Sequence, residues 1–115
     1  LGYIQQKQIM NFLKTINGDF PIIIDATDVL KNPKAMLKTL CNSLGIGFSD
    51  KMLSWPQGKR SSDGIWASFW YSQVEKTTTF TPLEKKDIKL RGSLMKIYKK
   101  SLDIYLEMYE KRLKA

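Results

Sequence analysis

The chain has 115 residues, 43% of them hydrophobic and 26% charged, the balance of one globular domain and not of a disordered segment. It holds no histidine and one cysteine, Cys41, which excludes Ser-His-Asp and Cys-His nucleophiles, zinc-hydrolase chemistry and a disulfide framework within these residues. Nineteen Lys and Arg against eleven Asp and Glu give a net +8, concentrated toward residues 84–115, and favour an anionic partner: nucleic acid, a phosphorylated small molecule or a membrane surface.

Ile9, Phe12, Leu13 and Ile16 recur at i, i+3, i+4 and i+7 and predict a helix over 3–17, stopped by Asn17-Gly18. Residues 20–25 then read as a strand. Pro21 suits its first position, and three consecutive isoleucines without polar alternation require cover on both faces, as inside a parallel sheet. Asn32 as N-cap and Pro33 at N1 open a helix over 33–44, with Met36, Leu37, Leu40, Cys41 and Leu44 on its apolar face and Gly45 as its stop. Cys41 in that stripe reads as a packed, inert thiol. Ser49 and Asp50 cap a short turn carrying Met52, Leu53 and Trp55. A polar loop over 56–64 leads to Trp66, Phe69, Trp70 and Val74, whose spacing predicts a helix over 65–75 with its rings in the core. Thr81 and Glu84 have capping-box spacing around Pro82 and predict a last helical region over 82–113, kinked or divided at Gly92-Ser93. Its stripe runs through Leu94, Ile97, Tyr98, Leu102, Tyr105 and Tyr109, with Lys96, Lys99 and Lys100 on a solvated face.

This pattern belongs to an α/β architecture that is mostly helical. A single interior-type strand conflicts with the need to pair its backbone N–H and C=O groups. Residues 1–115 therefore read as one partial domain, the C-terminal segment of a larger α/β domain. The alternative is a small helical domain in which the isoleucines form a buried irregular segment.

The segment Lys59-Arg60-Ser61-Ser62-Asp63-Gly64-Ile65-Trp66 is the most distinctive. Arg60 can fork onto a phosphate, Lys59 adds a point charge, Ser61 and Ser62 can donate hydrogen bonds, and Gly64 lets the backbone approach closely. The Walker A spacing is absent. Asp25 and Asp28 follow the carboxyl end of the strand, where α/β proteins bind ligands, although Asp28 reads first as a turn or cap residue. Trp66, Phe69 and Trp70 could alternatively stack on an adenine.

Ile22-Ile23-Ile24-Asp25-Ala26-Thr27-Asp28-Val29-Leu30, with Asn32-Pro33 and Leu44-Gly45-Ile46, resembles the C-terminal half of P-loop sulfotransferases. Met52-Leu53-Ser54-Trp55-Pro56 and Asp63-Gly64-Ile65-Trp66-Ala67, with Trp70-Tyr71, are similar to a bacterial sulfotransferase-like subfamily. The resemblance covers residues 1 to about 80. It implies a central parallel sheet and transfer of a sulfuryl group from 3′-phosphoadenosine 5′-phosphosulfate to a hydroxyl or amine acceptor. It also implies that the P-loop and most catalytic residues belong to an N-terminal half not represented here. Many members bind the nucleotide through an R-K-G-x-x-G-x-W loop. Lys59, Arg60, Gly64 and Trp66 fall at matching spacings, and Ser61 stands where the first glycine would be. Where the subfamily often has Pro-His, this chain has Ser68-Phe69.

The resulting expectation is the C-terminal part of a cytoplasmic sulfotransferase-like protein. It would offer Lys59, Arg60, Ser61, Gly64 and Trp66 to the donor nucleotide and have no catalytic residue or metal site of its own. Its partners would be the donor, a small-molecule acceptor and the N-terminal half of the same domain. The competing expectation is a non-catalytic basic helical module for nucleic acid or an acidic protein. Nucleic acid is the weaker of those two, because the last helix lacks interleaved arginines and a groove-reading pattern. No apolar run approaches the roughly 18 residues of a membrane span.

Overall fold

A computed structural model describes residues 2–84 and 88–115. The chain divides into two compact units, Leu1–Asp25 with Glu84–Lys114, and Ala26–Leu83. The described residues are mostly helical, with α1 (Tyr3–Asn17), α2 (Ala26–Lys31), α3 (Pro33–Leu44), α4 (Ala67–Trp70) and α5 (Ser93–Glu110), plus 3₁₀ turns at Asp50–Leu53 and Val74–Lys76. No helix among them is long and apolar enough to cross a membrane.

In the first unit α1 packs on α5. α1 ends where the sequence demands: Gly18 takes φ +79° and donates its N–H to the Lys14 carbonyl at 2.8 Å. The packed side of α1 is not the expected one. Tyr3, Lys7 and Met10, at i, i+4 and i+7, face α5: the Tyr3 ring meets Tyr105 edge-on at 6.4 Å, Lys7 pairs with Glu107 at 2.6 Å, and Met10 is buried. Ile9, Phe12 and Ile16 lie on another side of the helix and are exposed. α1 thus carries two apolar stripes, and periodicity alone could not say which one α5 would take.

The strand over 20–25 is not formed. Among the described residues these make no ladder, and the buried irregular segment of the alternative is absent too, since Ile22 and Ile24 are 42% and 46% exposed. A strand exists only through its neighbour. The nearest approach to one is a single bond, from the Leu113 N–H to the Ile23 carbonyl at 2.8 Å. Phe20, just before the isoleucines, is flanked by two ammonium groups, Lys14 at 4.2 Å and Lys111 at 5.3 Å from its ring.

The final helix starts later than expected. Residues 82–84 and 88–92 are not helical, and Gly92 at φ +58°, ψ −130° blocks propagation upstream of Ser93. The capping box therefore caps nothing at Glu84, and the rest of its first turn, residues 85–87, lies outside the described residues.

In the second unit α2 packs on α3. Residues 26–31 form a helix not expected from the sequence, and Asp28 sits in its first turn, where a carboxylate suits the helix N-terminus. The Asn32 side chain accepts the Ala35 N–H at 3.2 Å, Pro33 follows, and Gly45 at φ +68° closes α3 with its N–H on the Asn42 carbonyl. Met36 and Cys41 are buried, and the Cys41 sulfur lies 3.9 Å from that of Met52 in the 50–53 turn.

Candidate functional site

The 59–66 loop grows from a narrow neck. Ser54 and Thr79 form an antiparallel bridge. Beside it the Trp55 N–H donates to the Thr78 carbonyl and the Gly58 N–H to the Glu75 carbonyl, each at 2.9 Å. Side chains tighten the same clamp. Thr79 Oγ1 donates to the Leu53 carbonyl at 2.9 Å, Trp55 Nε1 donates to Thr77 Oγ1 at 3.2 Å, and the Trp55 ring meets Phe80 edge-on at 5.3 Å. These clamp residues were not among the sequence candidates. Their signal was present in the β-branched run Thr77-Thr78-Thr79 followed by Phe80, the composition of a strand.

Past the neck the loop closes on itself. The Arg60 N–H donates to Asp63 Oδ2 at 2.9 Å and the Asp63 N–H donates to the Arg60 carbonyl at 3.0 Å. Asp63 is thereby spent on the turn. Among the described residues the Arg60 guanidinium and the Lys59 ammonium have no hydrogen-bond or ion-pair partner, and Lys59, Arg60, Ser61 and Ser62 are all exposed. Two adjacent cations, Lys59 just before a pinned four-residue turn and Arg60 at its first position, are therefore available to an anion.

The glycine that needs its freedom is Gly58, at φ +104°, and not Gly64. Gly64 has no positive φ, and a Cβ built on it would meet nothing within 4 Å. Its carbonyl accepts the Ala67 N–H at 2.9 Å and starts α4. The expected helix over 65–75 is reduced to α4 and the 74–76 turn, and its aromatic stripe is not core. Trp66, Phe69 and Trp70 are 68%, 74% and 75% exposed, with the Trp66 and Phe69 rings 6.2 Å apart. Helical spacing reported a shared face correctly, but nothing in this unit covers that face.

Asp25 is engaged elsewhere. Tyr105 Oη donates to Asp25 Oδ2 at 2.9 Å, and burial, followed by the Asp25 carboxylate, pushes the Tyr105 phenol up to about 12. Tyr105 also lines a 260 Å³ groove with Tyr3, Tyr98, Ser101 and Leu102. Among the described residues no group of three Asp, Glu or Cys side chains could hold a metal ion.

The sequence model of the sulfotransferase domain family matches residues 11–108, which takes in the isoleucine segment, the neck and the whole loop. The chain belongs to the sulfotransferase domain family. Among curated proteins it is 41% identical over 68 residues to branched-chain-amino-acid aminotransferase-like protein 2 of Arabidopsis thaliana, covering 59% of this chain and 12% of that protein. It is 34% identical over 88 residues to the corresponding protein 1 of the same plant, covering 76% and 16%. The chain thus spans less than a fifth of the length of these relatives. No solved structure matches it.

Proposed function

We propose that this chain is the C-terminal part of a parallel-sheet sulfotransferase domain, a single partial domain whose P-loop half lies outside these residues. In that reading it supplies the loop that holds 3′-phosphoadenosine 5′-phosphosulfate. The observation that carries this reading is the pair of unpartnered cations, Lys59 and Arg60, on a turn pinned by the 54–58 and 75–79 neck within the segment the family matches. The donor supplies the sulfuryl group for a hydroxyl or amine acceptor bound by the completed domain. Arg60 and Lys59 bind the nucleotide's 3′-phosphate, with Ser61 and the backbone near Gly64 donating beside them. The exposed rings of Trp66 and Trp70 offer faces on which adenine stacks. One buried free thiol suits a reducing, cytoplasmic setting.

Arg60→Ala in the full-length protein tests the assignment. A charge-assisted hydrogen bond is worth roughly 1.5–3 kcal/mol, so 3′-phosphoadenosine 5′-phosphate should bind about one to two powers of ten more weakly. The analogue lacking the 3′-phosphate should be unaffected, since it never made the contact. Equal losses for both nucleotides would mean that Arg60 only shapes the loop.

A second reading, a non-catalytic basic module, draws on Lys96, Lys99 and Lys100, which stand exposed on α5 without an ion-pair partner among the described residues. It requires tight binding of an acidic partner that survives Arg60→Ala and fails when these three lysines are replaced by glutamine.

A further inference from the structure

One face of α5 is rich in tyrosine. Tyr98, Ser101, Leu102 and Tyr105 stand at i, i+3, i+4 and i+7, and Tyr3 of α1 joins them in lining a groove of 260 Å³. Every wall belongs to the first unit, and no charged side chain lines the groove. The Tyr3 and Tyr105 ring planes meet at 78° with centroids 6.4 Å apart, so two aromatic walls are nearly perpendicular. Tyr105 Oη donates to Asp25 Oδ2, which sets a carboxylate at the tip of that ring and deepens the negative charge on its face. The Tyr3 and Tyr98 hydroxyls make no hydrogen bond among the described residues. A face made for a packed neighbour would be aliphatic, because covering those two hydroxyls without partners costs free energy for each.

From this groove we propose that Tyr3, Tyr98 and Tyr105 form an aromatic cage for a methylated ammonium group. The chemistry selects that ligand. An anion would meet the negative ring faces and the Asp25 carboxylate. A flat aromatic ring slides between parallel faces, and Tyr3 and Tyr105 are nearly perpendicular. A primary ammonium is a compact, strongly hydrated charge that keeps its water. A methylated ammonium is round, which suits perpendicular walls, and its charge is spread over methyl groups that touch ring faces without giving up hydrogen bonds. The volume lies below the roughly 300–1,000 Å³ of pockets for drug-sized ligands and suits a compact head group. Asp25 adds attraction in a chain whose net charge of +8 otherwise repels cations. Two sources carry this chemistry, a free choline-like molecule and a trimethylated lysine side chain of another protein. The inference rests on the first unit and not on the 59–66 loop, so cation binding and nucleotide binding can fail separately.

The test uses the full-length protein and ligand-detected magnetic resonance with three probes. These are choline, its neutral isostere with a tert-butyl group in place of the trimethylammonium, and a short capped glycine peptide with one trimethyllysine. Choline should bind saturably and about tenfold more tightly than the isostere, the worth of two or three ring contacts. Tyr98→Leu, at a position that is 46% exposed and so tolerant of change, should weaken choline about fivefold. Tyr98→Phe keeps the ring face and should retain the affinity to within about twofold. A peptide that binds more tightly than choline assigns the cage to a methylated protein, and the reverse order assigns it to a free small molecule. The proposal is overturned if choline and the isostere bind alike, which indicates apolar adsorption. It is also overturned if choline does not bind saturably, or if Tyr98→Leu leaves its affinity unchanged.

Discussion

Tyr105 shows how much a single side chain does where buried residues are few. Its hydroxyl ties the end of the isoleucine segment, through Asp25, to the middle of α5, while its ring packs against Tyr3 and lies 5.5 Å from that of Tyr109. A phenol raised from 10.0 to about 12 stabilises the fold in its protonated form. That contribution is complete below pH 10 and is lost as pH rises through about 12. Tyr105→Phe should lower stability at neutral pH by about 1 kcal/mol, the worth of one partly exposed hydrogen bond. It should also flatten the fall in urea midpoint between pH 10 and 12 relative to the unaltered chain. An identical alkaline slope in both proteins would mean that other groups cause it. Glu107 behaves oppositely. Lys7 holds its carboxyl below the usual range, so its contribution is present above the ordinary value of 4.5 and fades as the pH drops through the depressed one. Both side chains are more than a third exposed, so Glu107→Gln should hardly move the midpoint at pH 7.

Among the elements, the loop separates two glycines that sequence alone treats alike. Gly58→Ala forces a Cβ into φ +104° in open space, so its cost is backbone strain of about 1–2 kcal/mol and the neck beside it loosens. Gly64→Ala meets neither strain nor a neighbour and should leave stability within about 0.5 kcal/mol. On the proposed nucleotide-binding role of the loop, Gly64→Ala in the full-length protein should nonetheless weaken donor binding, because the added methyl would stand where that role places the nucleotide. Thermal midpoints and nucleotide titrations of the two variants separate these effects. The same contrast explains what could be read in advance. α1 and α3 have the expected bounds because Gly18, Asn32, Pro33 and Gly45 punctuate them locally. The strand over 20–25 and the helix over 65–75 were inferred from side chains that call for burial, and burial depends on partners that sequence periodicity does not supply. Lys59, Arg60 and Ser61 were recognisable as a cationic turn. The Asp63 bond that shapes the turn and the threonine clamp that holds it became visible only in three dimensions.

At the scale of the whole molecule, surface exceeds what the chain can cover. Its accessible area is 9450 Å², where a folded monomer of this mass shows about 6,500 Å². Among the described residues the buried hydrophobic side chains are Met10 in the first unit and Met36 and Cys41 in the second. At about 25 cal/mol per Å² of apolar area, so thin a core does little to offset the conformational entropy of 115 residues. Local order is a different matter, since α1, α3 and α5 are supported by caps and by pairing within their units. The isolated chain should therefore show helical far-ultraviolet circular dichroism, bind a hydrophobic dye and melt over a broad range without a sharp heat-absorption peak. Ile22, Ile24 and the Ile9, Phe12 and Ile16 stripe should make it prone to associate. On the proposed partial-domain reading, joining it to the N-terminal half should narrow the transition and abolish dye binding, because that half would cover the same surfaces. A soluble monomer with a sharp two-state transition and dispersed amide resonances would show instead that residues 1–115 fold cooperatively by themselves, with Ile22 and Ile24 tolerated at the surface.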